Sequence, residues 1–332
     1  MIYEPKTFSE FVGNQRIVNH LSRLIKAAKK SEKPLKNLGF YGYAGTGKTL
    51  LAEVVANEYG ALYQYFNSGA IRNFSTFCLN LFEVCRDHCQ VSIRDSEDKI
   101  KKQTKGKPII SLLDEVHSMS MGVQDEFLSL LNDGTATIRQ GRKIRTGKVP
   151  FEITFILATD RQYKLSEAIR RRVEPIYFEP YSEAELAHIA EQFVKRSGFK
   201  INDETSQLIA QRSTSAGRCV SVCRTCIEYV ISQDGDGVDK TCADSVFEAM
   251  GIDDAGFTEN EKRVLRAIHT NGGVAPIKAI AVMSQIPMQE IESRIEPAML
   301  QKDLIRVSSG GRELTPKGLK AIGVDVSGGL LV

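Results

Sequence analysis

Up to about residue 178 the chain alternates short apolar runs with stretches of helical spacing. The apolar runs at 38–41, 61–66, 109–113, 151–158 and 175–178 have the length and bounding residues of buried strands. Between them, helical periodicity appears in an amphipathic stretch ending near Lys30, then at 49–59, 73–89, 124–131 and 163–171. Strands separated by helices predict a parallel α/β sheet with helices flanking it. One stretch breaks the rhythm: residues 135–148 alternate as a β-hairpin turning near Gly141. From Ser182 only helical spacing remains, at 182–197, 203–213, 216–233 and 239–250, before a break at Gly251–Gly256. Helices at 258–270, 276–283 and 288–300 follow. A two-strand ribbon closes the pattern, Leu304–Val307 and Arg312–Leu314 about a Ser308-Ser309-Gly310-Gly311 turn. Three helices and a wing describe a winged helix, a relative of the helix-turn-helix. The predicted domains are therefore 1–178, carrying the inserted hairpin, a helical lid at 179–252, and a winged helix at 253–332.

Composition sharpens this division. The 332 residues carry a net charge of +3, unevenly spread. Residues 1–178 hold 27 basic against 19 acidic side chains, 179–252 hold 7 against 12, and 253–332 hold 10 against 10. The basic excess lies with the predicted sheet and suits a polyanionic partner. No apolar run approaches membrane-spanning length, and Met-Ile-Tyr-Glu-Pro-Lys lacks the apolar core of a signal peptide. Seven scattered cysteines, an odd number, argue for a reducing compartment, so a cytoplasmic protein with no membrane partner is expected.

The chemistry starts at Gly42–Thr49, Gly-Tyr-Ala-Gly-Thr-Gly-Lys-Thr, which satisfies the phosphate-loop pattern at every fixed position between a strand and a helix. Glycines there let backbone N–H groups point at phosphate oxygens, the helix start adds its dipole, and Lys48 adds a full charge. Thr49 is placed to put a hydroxyl on Mg²⁺. About sixty residues on, Ile109–Leu113 runs into Asp114 and Glu115, acids suited to holding the metal through water and polarising an attacking water. The strand 151–158 ends in Thr159-Asp160, where a polar side chain can reach the γ-phosphate or the water. Phe11 and Val12, ahead of the first strand, suit either an adenine wall or core packing.

Other charged and thiol groups admit a plainer reading. The hairpin carries Arg139, Arg142, Lys143, Arg145 and Lys148 with no acid among them, which suits nucleic acid as well as simple solvation. The Lys-rich stretch 92–107 reads as an exposed, solvated insertion. Cys219, Cys223 and Cys226 share one helical face without a fourth ligand and read as core, while Cys85, His88 and Cys89 lack a second ligand pair and read as core or chance packing. His117 follows the two acids and can couple nucleotide state to structure.

Taken in order, these features resemble the RuvB family of AAA+ motors over nearly the whole length. The resemblance rests on Pro5-Lys6-Thr7-Phe8 before Phe11-Val12-Gly13, and on Leu51-Ala52-Glu53-Val54-Val55-Ala56-Asn57-Glu58-Tyr59-Gly60 after the loop. It also rests on Asp114-Glu115-Val116-His117, Leu165-Ser166 ahead of Arg170-x-Arg172, Gly217-Arg218, and Ile295-Glu296-Pro297. It implies that ATP and Mg²⁺ are held by Gly45, Thr46, Gly47, Lys48, Thr49 and Leu50, with Phe11, Val12 and Tyr181 beside the nucleotide. Asp114 would be the metal-associated acid, Glu115 the base, Thr159 the first sensor and Arg218 the second. Arg172 would be an arginine finger reaching a neighbouring subunit, and Arg312 a DNA contact from the wing.

The resemblance further implies a ring, hexameric in the family, that encircles duplex DNA and drives branch migration of Holliday-type junctions in recombination and repair. A RuvA-like junction-binding protein would be its partner. The sequence departs from the pattern at Glu4, Val173-Glu174, Val307 and the 92–107 insertion. It departs most in the hairpin, whose tip is largely apolar in the family and cationic here. An ATP-switched loader or scaffold, acting with a partner other than RuvA, uses the same architecture and stays open at this point.

Overall fold

The computed structural model describes residues 3–89, 108–140, 143–149 and 151–324. The stretch 92–107 and Arg142 lie outside the described residues. The chain forms two compact units: Pro5–Tyr43 with Gly47–Glu179, and Pro180 onward with the N-terminal residues to Glu4 and with Ala44–Thr46.

The first unit is built on five parallel strands, β1 (Leu38–Tyr41), β2 (Leu62–Asn67), β3 (Ile109–Asp114), β6 (Ile153–Thr159) and β7 (Glu174–Tyr177), in the order β2-β3-β6-β1-β7. The helices are α1 (Gln15–Ser31), α2 (Lys48–Tyr59), α3 (Phe74–Cys89), α4 (Met121–Asp133) and the short α5 (Glu167–Arg170). Two apolar clusters hold the layers together. Leu38, Phe40, Leu112 and Ile156 pack with Leu21, Leu51 and Val55, while Leu113, Phe155 and Leu157 pack with Phe74, Phe77 and Phe127. Strands buried on both faces read as continuous apolar runs rather than alternating ones, which is why β1, β3 and β6 are legible in the sequence. Each fully buried Leu, Ile or Phe in these clusters contributes about 1.5–3 kcal/mol.

The hairpin of β4 (Thr135–Gln140) and β5 (Lys143–Lys148) forms a separate two-stranded ribbon. Ala136 is buried in the second cluster and the Arg139 N–H donates to Ser75 Oγ at 2.9 Å, so β4 is anchored while every β5 residue is exposed.

The second unit opens with α6 (Glu183–Arg196), started by a Ser182–Glu185 capping box. Helices α7 (Asp203–Gln211), α8 (Ala216–Ser232) and α9 (Lys240–Ala249) follow, capped by Asn202, Ser215 and Asp239. Cys219, Cys223, Cys226 and Cys242 are buried in their shared core, and burial raises the Cys226 and Cys242 thiols, as core packing requires. Strands β8 (Lys200–Ile201) and β9 (Gly237–Val238) pair in parallel, a contact too short to show in periodicity.

A second core belongs to α10 (Glu259–Thr270), β10 (Val274–Ala275), α11 (Ile277–Ser284), the helix α12 built from Met288–Glu290, Ile291–Ile295 and Glu296–Gln301, β11 (Ile305–Ser308), β12 (Gly311–Leu314) and α13 (Pro316–Ala321). The Ile291–Ile295 turn of α12 is a π-helix. Pro297, which has no N–H to offer, sits just after it and accounts for the wide turn. The wing holds three strands, β10-β12-β11, one more than the pattern predicts, and α13 closes the domain beyond the predicted ribbon.

Candidate active site

Parallel pairing sets Tyr41 beside Thr159 and Asn67 beside Asp114, so β1, β3 and β6 end on one edge of the sheet. Ligand groups gather at such strand ends in open α/β sheets. There β1 leads into the phosphate loop, whose Gly45 (φ 78°) and Gly47 (φ 86°) take the left-handed backbone that a side chain would oppose. Lys48, the first residue of α2, is buried, and its ammonium donates to the carbonyls of Gly42 and Tyr43, both at 2.8 Å. Burial lowers its pKa, against the opposing pull of Asp160, Glu115 and Asp114.

The Thr49 hydroxyl donates to Asp114 Oδ2 at 2.9 Å, and the Glu115 N–H donates to Asp114 Oδ1 at 3.0 Å. A hydroxyl and a carboxylate held together form an oxygen-only pair suited to Mg²⁺. Glu115 has φ 52° and ψ 41°, an unusual left-handed conformation for a residue with a Cβ. It turns the chain out of β3 and leaves the Glu115 side chain half exposed. Burial, then Asp160 and Asp114, push its carboxyl above the usual glutamate range.

Thr159, fully buried, accepts from the Arg161 N–H at 2.9 Å and meets His117 Nδ1 at 2.8 Å. Burial lowers the His117 pKa, which keeps the ring neutral near pH 7.

Arg172 lies exposed just past α5, its Nη1 donating to Ala168 O at 2.8 Å, and among the described residues no carboxylate pairs with it. Gln124, buried in α4, sets the approach: its side chain donates to Met119 O at 3.2 Å and accepts from the Ser166 N–H at 3.0 Å, where Ser166 caps α5. Sequence reasoning assigns no role to Gln124, although an amide on an otherwise apolar helix face is its signal.

Other predicted residues sit where packing claims them. Phe11 is buried in the first cluster and Leu50 packs against it, with Val12 half-buried. In the second unit Tyr181 is buried in the α6–α9 core. Arg218 forms a two-pronged pair with Glu261, Nη2 to Oε1 at 2.9 Å and Nη1 to Oε2 at 3.2 Å, and also donates to Gly256 O at 3.1 Å. The Glu261 side chain is only 3% exposed and caps α10 through Thr258, a Thr-x-x-Glu signal visible in the sequence. Arg312 is gripped the same way by Glu296, with contacts of 2.8–3.1 Å, so its guanidinium faces a carboxylate inside the winged helix.

Comparison with known proteins finds relatives for both the sheet domain and the C-terminal helices. Residues 38–181 match the family described as ATPase family associated with various cellular activities (AAA), and residues 254–323 match the RuvB C-terminal winged helix domain. The chain is 28% identical over 330 residues to the Holliday junction branch migration complex subunit RuvB of Kosmotoga olearia, covering 96% of this chain and 90% of that one. It is 25% identical over 324 residues to the RuvB subunit of Mycoplasmopsis pulmonis, covering 95% and 96%. The solved Thermotoga maritima RuvB Holliday junction branch migration motor superposes with a TM-score of 0.78 at 22% identity, over 97% of this chain and 99% of that one. Residues 38–181 are thus similar to AAA ATPases, and residues 254–323 to the winged helix of RuvB. Over nearly its whole length the chain is RuvB-like and divergent. No helix among the described residues is long and apolar enough to cross a membrane.

Proposed function

We propose that this protein is an ATP-driven, ring-forming motor that translocates duplex DNA and migrates four-way recombination junctions. One observation carries the reading: a complete hydrolytic set, Lys48, Thr49, Asp114, Glu115 and Thr159, converges on one sheet edge of a chain that also carries a RuvB-type winged helix. In this reading ATP lies along the phosphate loop with its phosphates on the loop N–H groups and Lys48. Thr49 and Asp114 would hold Mg²⁺, which would supply charge neutralisation to the phosphates. Glu115 takes the proton of the attacking water, Thr159 orients the γ-phosphate, and Arg172 completes the site of the next subunit. The test is ATP-dependent migration of a synthetic four-way junction by the purified protein, with and without a RuvA-type partner. Migration is expected; active ATPase without migration under either condition would favour the loader or scaffold.

The hairpin favours a second reading of the partner. Register puts Lys143 and Arg145 on one face with Ile138, and Arg139 and Lys148 on the other with the exposed Ile144. Among the described residues none of these four cations is ion-paired, so the ribbon offers positive charge on both faces, which suits DNA as its contact. Reversing Arg139, Lys143 and Arg145 to Glu is expected to weaken duplex binding and to flatten the dependence of log affinity on log salt by about 2–3. Unchanged affinity and slope would move the hairpin to a protein partner.

A further inference from the structure

Three oxygens converge on one nitrogen behind the hydrolytic site. His117 Nδ1 lies 2.8 Å from Thr159 Oγ1, 3.3 Å from Glu115 Oε2 and 3.5 Å from Asp160 Oδ1. The ring is 12% exposed, as is the Asp160 side chain, so water competes little for these contacts. A ring nitrogen carries at most one hydrogen and completes only one of the three bonds well. Asp160 Oδ1 is buried and lies 3.8 Å from Arg161 Nε, an ion-pair distance too long for a hydrogen bond, so it has no hydrogen-bond partner among the described residues. A buried acceptor left in that state is costly and points to a second arrangement of the network in which it is satisfied.

We propose that His117 is a positioning residue for Glu115, through which the sensor pair Thr159–Asp160 sets where the base stands. This deepens the ATPase reading and rests on Glu115 being the base. The Thr159 hydroxyl already accepts from Arg161, so its own hydrogen has a single use. While that hydrogen goes to Nδ1, the nitrogen presents a lone pair to two carboxylates and cannot hold Glu115. Once Thr159 turns its hydrogen to a phosphate oxygen, the tautomer with its hydrogen on Nδ1 becomes available and donates to Glu115 or Asp160. The half-exposed Glu115 side chain, on a backbone held at φ 52°, has no other hydrogen-bonding partner among the described residues to fix it. Phosphate occupancy at the sensor is thereby read by the base through one shared ring nitrogen.

The experiment compares His117→Ala, His117→Phe and His117→Asn in steady-state ATPase and in direct nucleotide binding, with thermal melts to confirm folding. Loss of the donor in the Ala and Phe variants is expected to lower kcat by about tenfold to a hundredfold, the cost of a base misplaced by about 1 Å. Nucleotide affinity and KM should stay within about twofold. Asn, whose amide can stand in for Nδ1–H, should recover most of kcat, and His117→Ala with Asp160→Ala should be no slower than His117→Ala alone. The proposal is overturned if kcat stays within about twofold in both Ala and Phe variants, if affinity falls in step with kcat, if Asn fails to recover, or if the Asp160 loss adds to that of His117. Glu115→Gln is measured alongside: full hydrolysis by that variant would remove the base assignment itself, separately from the His117 result.

Discussion

Replacing Glu115 with Gln is expected to lower the ATP turnover number by about 10²- to 10⁴-fold, the range lost with a positioned general base. Binding should survive, because the groups proposed to meet the phosphates are not touched: the loop glycines and Lys48, whose ammonium rests on the Gly42 and Tyr43 carbonyls at 2.8 Å. The Thr49–Asp114 pair, 2.9 Å apart, is likewise intact, and Gln keeps the shape of Glu at the left-handed turn after β3. Removing one carboxylate from a group of three, Asp114, Glu115 and Asp160, also reduces repulsion of an incoming triphosphate, so affinity is expected to hold or rise. Nucleotide binding measured beside single-turnover hydrolysis decides it. A parallel loss of both would mean that Glu115 shapes the site and does not act on the water.

Much of this site is legible in the amino-acid sequence, and the reason is local. The phosphate loop is a contiguous stretch whose backbone conformation, Gly45 and Gly47 with positive φ, is itself a demand on residue type. Asp114 and Thr159 stand out because each ends a strand buried on both faces, where a polar residue interrupts an apolar run. What stays hidden depends on partners far apart in sequence. Arg218 follows a legible Gly-Arg pair, yet its carboxylate, Glu261, comes from a helix cap 43 residues later. The place of Arg312 on the wing suggests a DNA contact, whereas the fold gives its guanidinium to Glu296, 16 residues earlier. Asp160, in sequence, is one more polar residue at a strand end. Only the folded β3–β6 edge shows that its buried oxygen shares a nitrogen with Glu115. The two-residue strands β8, β9 and β10 leave no trace in periodicity because the signal needs more positions than they have.

Arg172→Ala should cost more than any other single change outside the phosphate loop, about 10³- to 10⁵-fold in turnover if Arg172 stabilises the transition state from a neighbouring subunit. The local structure suits such a role. Arg171 spends its charge on Glu167 within the same helix turn, while Arg172 is exposed and, among the described residues, donates only to the Ala168 carbonyl, a bond easily exchanged for a phosphate oxygen. Gln124 and the Ser166 cap fix the turn that presents it, so the guanidinium is held outward at little further entropic cost. A mixing experiment separates action between subunits from action within one. Arg172→Ala subunits keep Glu115 but offer no finger, and Glu115→Gln subunits offer a finger but have no base. Each preparation alone should be inactive. Mixed under conditions that allow subunit exchange, they should regain ATPase activity wherever a Glu115→Gln subunit reaches into the site of an Arg172→Ala neighbour. If Arg172 serves its own subunit's site, no mixed interface holds both groups, and the mixture stays as inactive as its parts.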